Sequence, residues 1–331
     1  FDASDRSPAT FEVADSVGPG TAVRVHTGSE LPEGADAVVK VEDTERADSE
    51  VTVFGAVPEG ANVAPVGEDV AADQRLFGAG HCLRPSDLGL LKAVGFETVE
   101  VYERPRVSVV PTGEELVQSD PEPGEIIETN GQTVTQYVER WGGDPTYRDV
   151  VTDDPDSLRE AIERDLDHDI VVTTGGSSVG ERDLVPDVVD DLGEVFVHGV
   201  ALKPGHPVAL GVVEATPLLM LPGYPVACIV NAVQFLRPAL ERVAHRRSGA
   251  YPTTDARLAR KLPSEPGVRT FARVRLDGGD EETTTATPTR TTGAGVLSSV
   301  SLADGWVVVP EGREGYAEGE TVAVEQWEWS R

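Results

Sequence analysis

Three short loops carry the residues of this 331-residue chain whose types and spacing could do chemistry. The first, Thr173-Thr-Gly-Gly-Ser-Ser-Val-Gly-Glu-Arg-Asp183, follows the apolar run Ile170-Val-Val172 and sets Gly175, Gly176, Ser177 and Ser178 side by side. Closely spaced backbone N–H groups and small hydroxyls suit a phosphate or oxyanion, although glycines after a strand are also ordinary turn punctuation. Lys203-Pro-Gly205 and Leu221-Pro-Gly-Tyr-Pro225 come next, each joining a fixed-φ proline to a glycine free to take positive φ. The three loops describe an anion pocket at the carboxyl edge of a sheet.

Carboxylates fall at the same rim. Asp183 closes the first loop and suits Mg²⁺, which takes one or two carboxylates plus phosphate oxygens; it equally suits the cap of a helix over 184–192. Asp153 stands at a strand end as a metal ligand or general base, but Asp153-Asp-Pro155 is also a common helix start. Glu115, in Pro111-Thr-Gly-Glu-Glu-Leu116, follows another strand end. Lys203 is one of four lysines among 28 basic residues, and a lysine retained by an arginine-using chain suggests a point charge for an oxyanion; the plain alternative is a rim lysine. His26, His198 and His206 show no metal spacing, and no nucleophile–histidine arrangement stands out.

The elements that must position these residues change character along the chain. Up to about residue 70, short β runs such as Thr21–Val25 and Ala35–Val41 predict a small β domain. Residues 84–95 predict one short helix within a connecting region, 71–104. From 105 to 248 strands and helices alternate: strands at 107–110, 147–151 and 170–174, helices at 129–141, 154–167 and 184–192. A long apolar helix over 226–243 is expected to kink near Pro238. Alternation of this kind predicts an α/β fold with a doubly wound, mostly parallel sheet, and the three loops are expected at the carboxyl ends of its strands. Residues 249–331 revert to β periodicity, with Thr270–Leu276, Gly305–Val309 and a hairpin turn at Asp277–Asp280, and predict a closing β sandwich or barrel.

Fifty-eight acidic against 28 basic residues give a net charge of −30. A nucleic-acid backbone would be repelled, so that partner class is excluded. An acidic, lysine-poor surface is the signature of a halophile's protein, whose self-repulsion is screened by molar salt. No apolar run is long enough to span a bilayer, and two cysteines, Cys82 and Cys228, form no disulfide framework; a cytoplasmic location is expected.

Taken in order, Val25-His-Thr-Gly-Ser-Glu-Leu-Pro-Glu-Gly-Ala-Asp-Ala-Val-Val39, Gly67-Glu-Asp69, Thr112-Gly-Glu-Glu-Leu116, Glu128-Thr-Asn130, Asp153-Asp-Pro155, Thr173-Thr-Gly-Gly176, Lys203-Pro-Gly205 and Leu221-Pro-Gly-Tyr-Pro225 resemble the molybdopterin molybdenumtransferases, the family of bacterial MoeA and the gephyrin E-domain. The resemblance runs the length of the chain. It implies a homodimer that binds adenylylated molybdopterin and molybdate, or tungstate, with Mg²⁺, passes the metal to the dithiolene and releases AMP. Other proteins of molybdenum-cofactor biosynthesis are further possible partners on this reading.

Carried over position by position, the resemblance makes Glu115, Asp153 and Asp183 the carboxylates for metal and pyrophosphate, and Lys203 the cation near the oxyanion. Gly175, Gly176, Ser177, Ser178 and Thr112 would cradle pterin or phosphate, while Gly205, Pro222, Gly223 and Pro225 shape the pocket. Thr27 and Asp69 match the β-domain side, and Arg273 a basic residue of the tail. Family lysines align with Gly199 and His206, a tail serine with Ala294, and an asparagine with Tyr224. The family's Asp-Gly-Tyr-Ala segment is expected just before Phe1, so the first domain is expected to be incomplete. Two other readings stay open: the adenylyltransferase of the same pathway, which shares the Thr-Thr-Gly-Gly loop, and a non-catalytic molybdopterin carrier or scaffold.

Overall fold

The computed structural model describes residues 7–176, 184–246, 249–278, 284–289 and 294–328. They fall into two compact units, Phe1–Ala79 with Pro85–Phe96, and Gly80–Arg84 with Glu97–Arg331.

In the first unit, β1 (Ala9–Val13), β2 (Thr21–Ala22), β3 (Thr44–Ala47) and β4 (Glu50–Val53) form a sheet in the order β2-β1-β4-β3. Phe11 and Val13 of β1 turn inward while Thr10 and Glu12 face solvent, the alternation of a half-buried strand. The run predicted as a strand at Thr21–Val25 stops at Ala22, and Ala35–Val41 forms no strand. The reason for the second difference lies in its partners: Val38 donates its N–H to the Ala61 carbonyl and accepts from the Asn62 amide at 2.7 Å. Loop contacts thus satisfy backbone groups that a ladder would otherwise use. Helix α1 (Pro85–Ala93) has proline at its first position and ends before Gly95 at φ 96°.

The second unit begins with β5 (Arg106–Pro111); β6 (Leu116–Val117) and β7 (Ile126–Ile127) pair as a short parallel ribbon. There follow α2 (Asn130–Arg140), β8 (Asp144–Tyr147), α3 (Pro155–Arg164), β9 (Ile170–Thr174), α4 (Leu184–Leu192), β10 (Glu194–His198), β11 (Leu202–Lys203), β12 (Ala209–Val213), β13 (Thr216–Leu221), α5 (Pro225–Asn231) and α6 (Arg237–Val243). The main sheet runs β10-β12-β13-β9-β5-β8. Strands β13, β9, β5 and β8 are parallel, whereas β10 and β12 join antiparallel at one edge. Every residue of β9 is buried because helices cover both faces, which is why its sequence is a continuous apolar run. Val134 and Val138 of α2 and Val226 and Val230 of α5 pack on Val107, Val109 and Val172. On the other face Leu158 and Ile162 of α3 and Val185 and Val188 of α4 pack on Val110, Val171 and Met220.

Two predicted elements shift. The strand placed at 147–151 lies at 144–147, because Gly142 and Gly143 end α2 early enough for Asp144 to pair with Arg106. Arg148 then leaves the strand to pair with buried Asp165. That same aspartate, tied to Arg148, Arg164 and Ser108, closes α3 at Arg164 rather than at 167. The irregularity expected near Pro238 is present as a π-helical turn, Ala232–Leu236, between α5 and α6. Proline has no N–H to donate four residues back and its ring crowds that carbonyl, so the preceding turn widens.

Strands β14 (Thr253–Leu258), β15 (Leu262–Pro263), β16 (Arg269–Gly278) and β17 (Thr284–Pro288), helix α7 (Ser298–Ser301), and strands β18 (Gly305–Val309), β19 (Gly315–Tyr316) and β20 (Thr321–Glu325) complete the chain. The order β16-β17-β14-β20-β18 closes through β16–β18 pairing, so the β tail is a five-stranded barrel. Asp277 and Gly278, expected in a hairpin turn, are still in β16, paired antiparallel with Thr285 and Thr284 of β17; Gly279 and Asp280 lie outside the described residues. Phe271, Trp306 and Trp327 share a buried cluster with α2 and α5, and Trp306 stacks on Trp327 at 4.3 Å. Arg140 and Tyr137 of α2 reach Glu328 just beyond β20, fastening the barrel to the sheet's helical layer.

Candidate functional site

The carboxyl ends of β5, β9 and β13 are laced together beyond their last sheet pairs. Pro111, Thr174 and Leu221 stand in register, and the next residues continue the bonding: Thr112 N–H to Thr174 O at 3.3 Å, Gly175 N–H to Leu221 O at 3.0 Å. Gly113 N–H reaches Val151 O at 3.1 Å, bringing in the segment after β8. Gly175, at φ 126°, is required here: a β-carbon would stand 2.2 Å from the Thr112 carbonyl oxygen. Gly176, at φ 62°, is hemmed by Val185, and Gly223 faces the Cα of Gly175. Thr112, Gly175, Gly176, Pro222 and Gly223 therefore form one floor.

At this end of the sheet the described residues leave some buried polar atoms without a partner. Among the described residues the Oγ1 atoms of Thr112, Thr173 and Thr174 are buried and find no hydrogen-bond partner; that of Thr112 lies 3.0 Å from the Gly175 β-carbon position, while Thr173 and Thr174 point to opposite faces of the sheet. Each such hydroxyl costs free energy, on the order of 1–3 kcal/mol, which a ligand oxygen or nitrogen would recover. Reading the sequence picked out the serines of this loop and missed the side chains of Thr173 and Thr174. Their position at the end of a buried apolar run was the available signal.

The carboxylates approach along two of the same strand ends. Glu115 folds back so that its Oε2 lies 2.9 Å from the β-carbon position of Gly113, and Asp153 is two residues beyond Val151. The helix-start role falls to Asp154, whose carboxylate accepts from Ser157 N–H at 2.9 Å and is lowered in pKa by that bond. Asp183, Ser177 and Ser178 lie outside the described residues.

The Lys203 loop departs from expectation. Leu202 and Lys203 pair with Arg269 and Thr270 of β16, so β11 extends the barrel sheet and does not end a strand of the α/β sheet. Leu202 is buried in the layer shared by barrel and helices, which draws the segment to that side. The Lys203 ammonium lies 2.6 Å from Glu265 Oε1 on the surface. Gly205, at φ 117°, is pressed against α5: a β-carbon would meet the Asn231 amide at 2.1 Å, and that amide donates to the Gly205 carbonyl at 2.9 Å. Asn231 is fully buried and its Oδ1 has no partner among the described residues.

Pro225 opens α5, with exposed Tyr224 before it and Val226 N–H bonded to Ala294 O at 2.9 Å. Arg273 is buried in β16; its guanidinium donates to Phe271 O and Ser299 Oγ at 3.3 and 3.5 Å, its Nε has no partner among the described residues, and burial lowers its pKa. In the first unit, Thr27 is exposed beside the Gly28 turn, and Asp69 is exposed two residues after Gly67. No group of three or more His, Cys, Asp or Glu side chains among the described residues could hold a metal alone.

A mostly parallel sheet with helices on both faces and glycine-rich loops at its carboxyl edge, followed by a closed barrel, defines a doubly wound α/β protein with a β-barrel tail. Residues 108–242 match the family "probable molybdopterin binding domain", residues 2–95 the "MoeA N-terminal region (domain I and II)" and residues 255–327 the "MoeA C-terminal region (domain IV)". A molybdopterin molybdenumtransferase of Bacillus subtilis is 30% identical over 355 residues, covering 99% of this chain and 82% of its own. A putative molybdopterin biosynthesis protein of Methanocaldococcus jannaschii is 34% identical over 337 residues, covering 98% and 81%. Crystal structures of a molybdopterin biosynthesis MoeA protein of Pyrococcus horikoshii superpose with TM-score 0.81 at 35% and 29% identity, over 98% of this chain and 83% of theirs. The chain belongs to the MoeA family.

Proposed function

We propose that this chain is a molybdopterin molybdenumtransferase, a transferase of molybdenum-cofactor biosynthesis. It takes adenylylated molybdopterin and molybdate, or tungstate, transfers the metal to the pterin dithiolene and releases AMP. The observation that carries the reading is the laced floor of Thr112, Gly175, Gly176 and Gly223 at the carboxyl edge of the parallel strands, where the buried Thr112 hydroxyl has no partner among the described residues. Backbone N–H groups and hydroxyls without bulky side chains match phosphate and pterin oxygens.

On this reading Thr112, Gly175, Gly176, Ser177 and Ser178 cradle the pterin or its phosphate, and Gly205, Pro222, Gly223 and Pro225 shape the pocket. Glu115, Asp153 and Asp183 supply hard oxygen donors, which suit Mg²⁺; an ion completed by substrate phosphates and water needs only one or two of them. When bound, Mg²⁺ would neutralise pyrophosphate charge. Lys203, freed from Glu265, supplies a cation for the metal oxyanion, and Arg273 adds a basic group from the barrel. Thr27 and Asp69 act from the β domain of a second subunit in a homodimer. The functional divisions are 1–70, 71–104, 105–248 and 249–331, and the working environment is a cytoplasm of high salt.

The test is AMP release from adenylylated molybdopterin with Mg²⁺, with and without molybdate. Release that depends on molybdate or tungstate supports the reading. ATP-dependent adenylylation of molybdopterin would instead identify the adenylyltransferase step. Molybdopterin binding with neither reaction would identify a carrier.

A further inference from the structure

Asn130 is the first residue of α2, but the start of that helix is held by other groups. The buried Glu128 carboxylate accepts from the N–H groups of Gly131 at 2.6 Å and Gln132 at 3.4 Å, and from the Tyr147 hydroxyl at 2.5 Å. Gly131 is packed so closely that a β-carbon would stand 2.7 Å from Pro111 Cγ and 2.8 Å from the Tyr147 ring. The helix start is thereby fixed against the end of β5. The Asn130 amide, released from capping, crosses to the loop after β13 and donates to the Gly223 carbonyl at 2.6 Å. Gly223 in turn faces the Cα of Gly175 at 3.6 Å from its β-carbon position.

Resting on the function proposed above, we infer that Asn130 is a positioning residue: its side-chain amide, anchored through Glu128 and α2 to β5, sets the Pro222–Gly223 loop against Gly175 and Thr112. A backbone carbonyl can be held there only by a donor, so the chemistry demands an amide rather than a carboxylate. Glycine at 223 offers no side chain that could lock the loop in its place.

The discriminating variant is Asn130→Asp. Aspartate keeps the shape and is favoured in the first turn of a helix, so a residue serving only the helix would tolerate it. It presents two acceptors to the Gly223 carbonyl and breaks the contact. Hydrogen exchange of the 221–228 peptide is read in the full chain, together with Tm and AMP release; Asn130→Ala serves as the second variant. Exchange at 221–228 is expected to rise about tenfold and kcat/KM to fall about tenfold in both variants, with Tm changed by no more than about 4 °C. Unchanged exchange in both variants overturns the assignment, as does raised exchange with unaltered turnover. A drop in Tm of more than about 10 °C in Asn130→Asp makes the residue structural and also overturns it. If the unsubstituted chain releases no AMP, the proposed function fails, while exchange still decides whether Asn130 holds the loop.

Discussion

The carbonyl oxygen of Thr112 lies 2.2 Å from the point where a β-carbon on Gly175 would stand. No real side chain tolerates that separation, and Gly175 also sits at φ 126°, where L residues are strained. Gly175→Ala is expected to cost about 2–4 kcal/mol of stability and to part the loops after β5 and β9. Urea unfolding checks the first effect, and loss of molybdopterin binding in the folded fraction checks the second.

Thr112 itself should behave in the opposite sense. Its hydroxyl is buried and has no partner among the described residues, so Thr112→Val removes an unsatisfied oxygen at nearly constant shape. Stability without ligand is expected to hold or to rise by up to about 1 kcal/mol, while molybdopterin affinity falls about tenfold. Equal affinity in a titration of the two proteins would remove Thr112 from the site.

Much of this arrangement was legible in the sequence, and the limits have physical causes. The continuous apolar run at 170–174 marked a strand covered on both faces, and of the two proline–glycine loops the one at Leu221–Gly223 follows a strand of the same sheet whereas the one at Lys203–Gly205 does not. What could not be read was which sheet a two-residue strand joins: Leu202–Lys203 is too short for any periodicity, and only the packing of Leu202 assigns it to the barrel. Ala35–Val41 looked like a strand because its three valines favour extended backbone, yet the partners of Val38 lie in a loop. Thr112 was legible through the family resemblance, whereas the lack of a partner for its hydroxyl among the described residues was not, since that depends on neighbours distant in sequence.

Asp165 ties the sheet to α3 and gives a pH signature. It is fully buried beneath Arg148 and Arg164, and Ser108 donates to it at 2.6 Å. Burial pushes the carboxyl up, but the bonds from Arg164, Arg148 and Ser108 outweigh burial and hold the group at about 2, below its ordinary 3.8. A folded-state value below the unfolded one contributes stability that is complete above the unfolded pKa and is lost as pH falls through the folded one. Asp165→Asn is therefore expected to cost about 1–2 kcal/mol at neutral pH, a figure kept low because Arg164 is half exposed. Urea midpoints of the two proteins should converge as the pH falls from 4 towards 2; a constant gap would contradict the ion-pair account.

With a net charge of −30, salt is expected to stabilise the fold by screening self-repulsion. Raising KCl from about 0.1 to 2 M shortens the Debye length from about 10 Å to below 3 Å and is expected to raise Tm by about 10 °C or more. A salt-independent Tm by calorimetry would remove the halophilic reading.

The measurement closest to the central claim is the product itself: molybdenum bound to molybdopterin after incubation of the chain with adenylylated molybdopterin, Mg²⁺ and molybdate, quantified beside the AMP released. The account predicts metal-loaded pterin and AMP in about equal amounts, with both falling in the Glu115→Gln and Asp153→Asn variants. AMP without metal-loaded pterin, or equal yields from the chain and those variants, would contradict it.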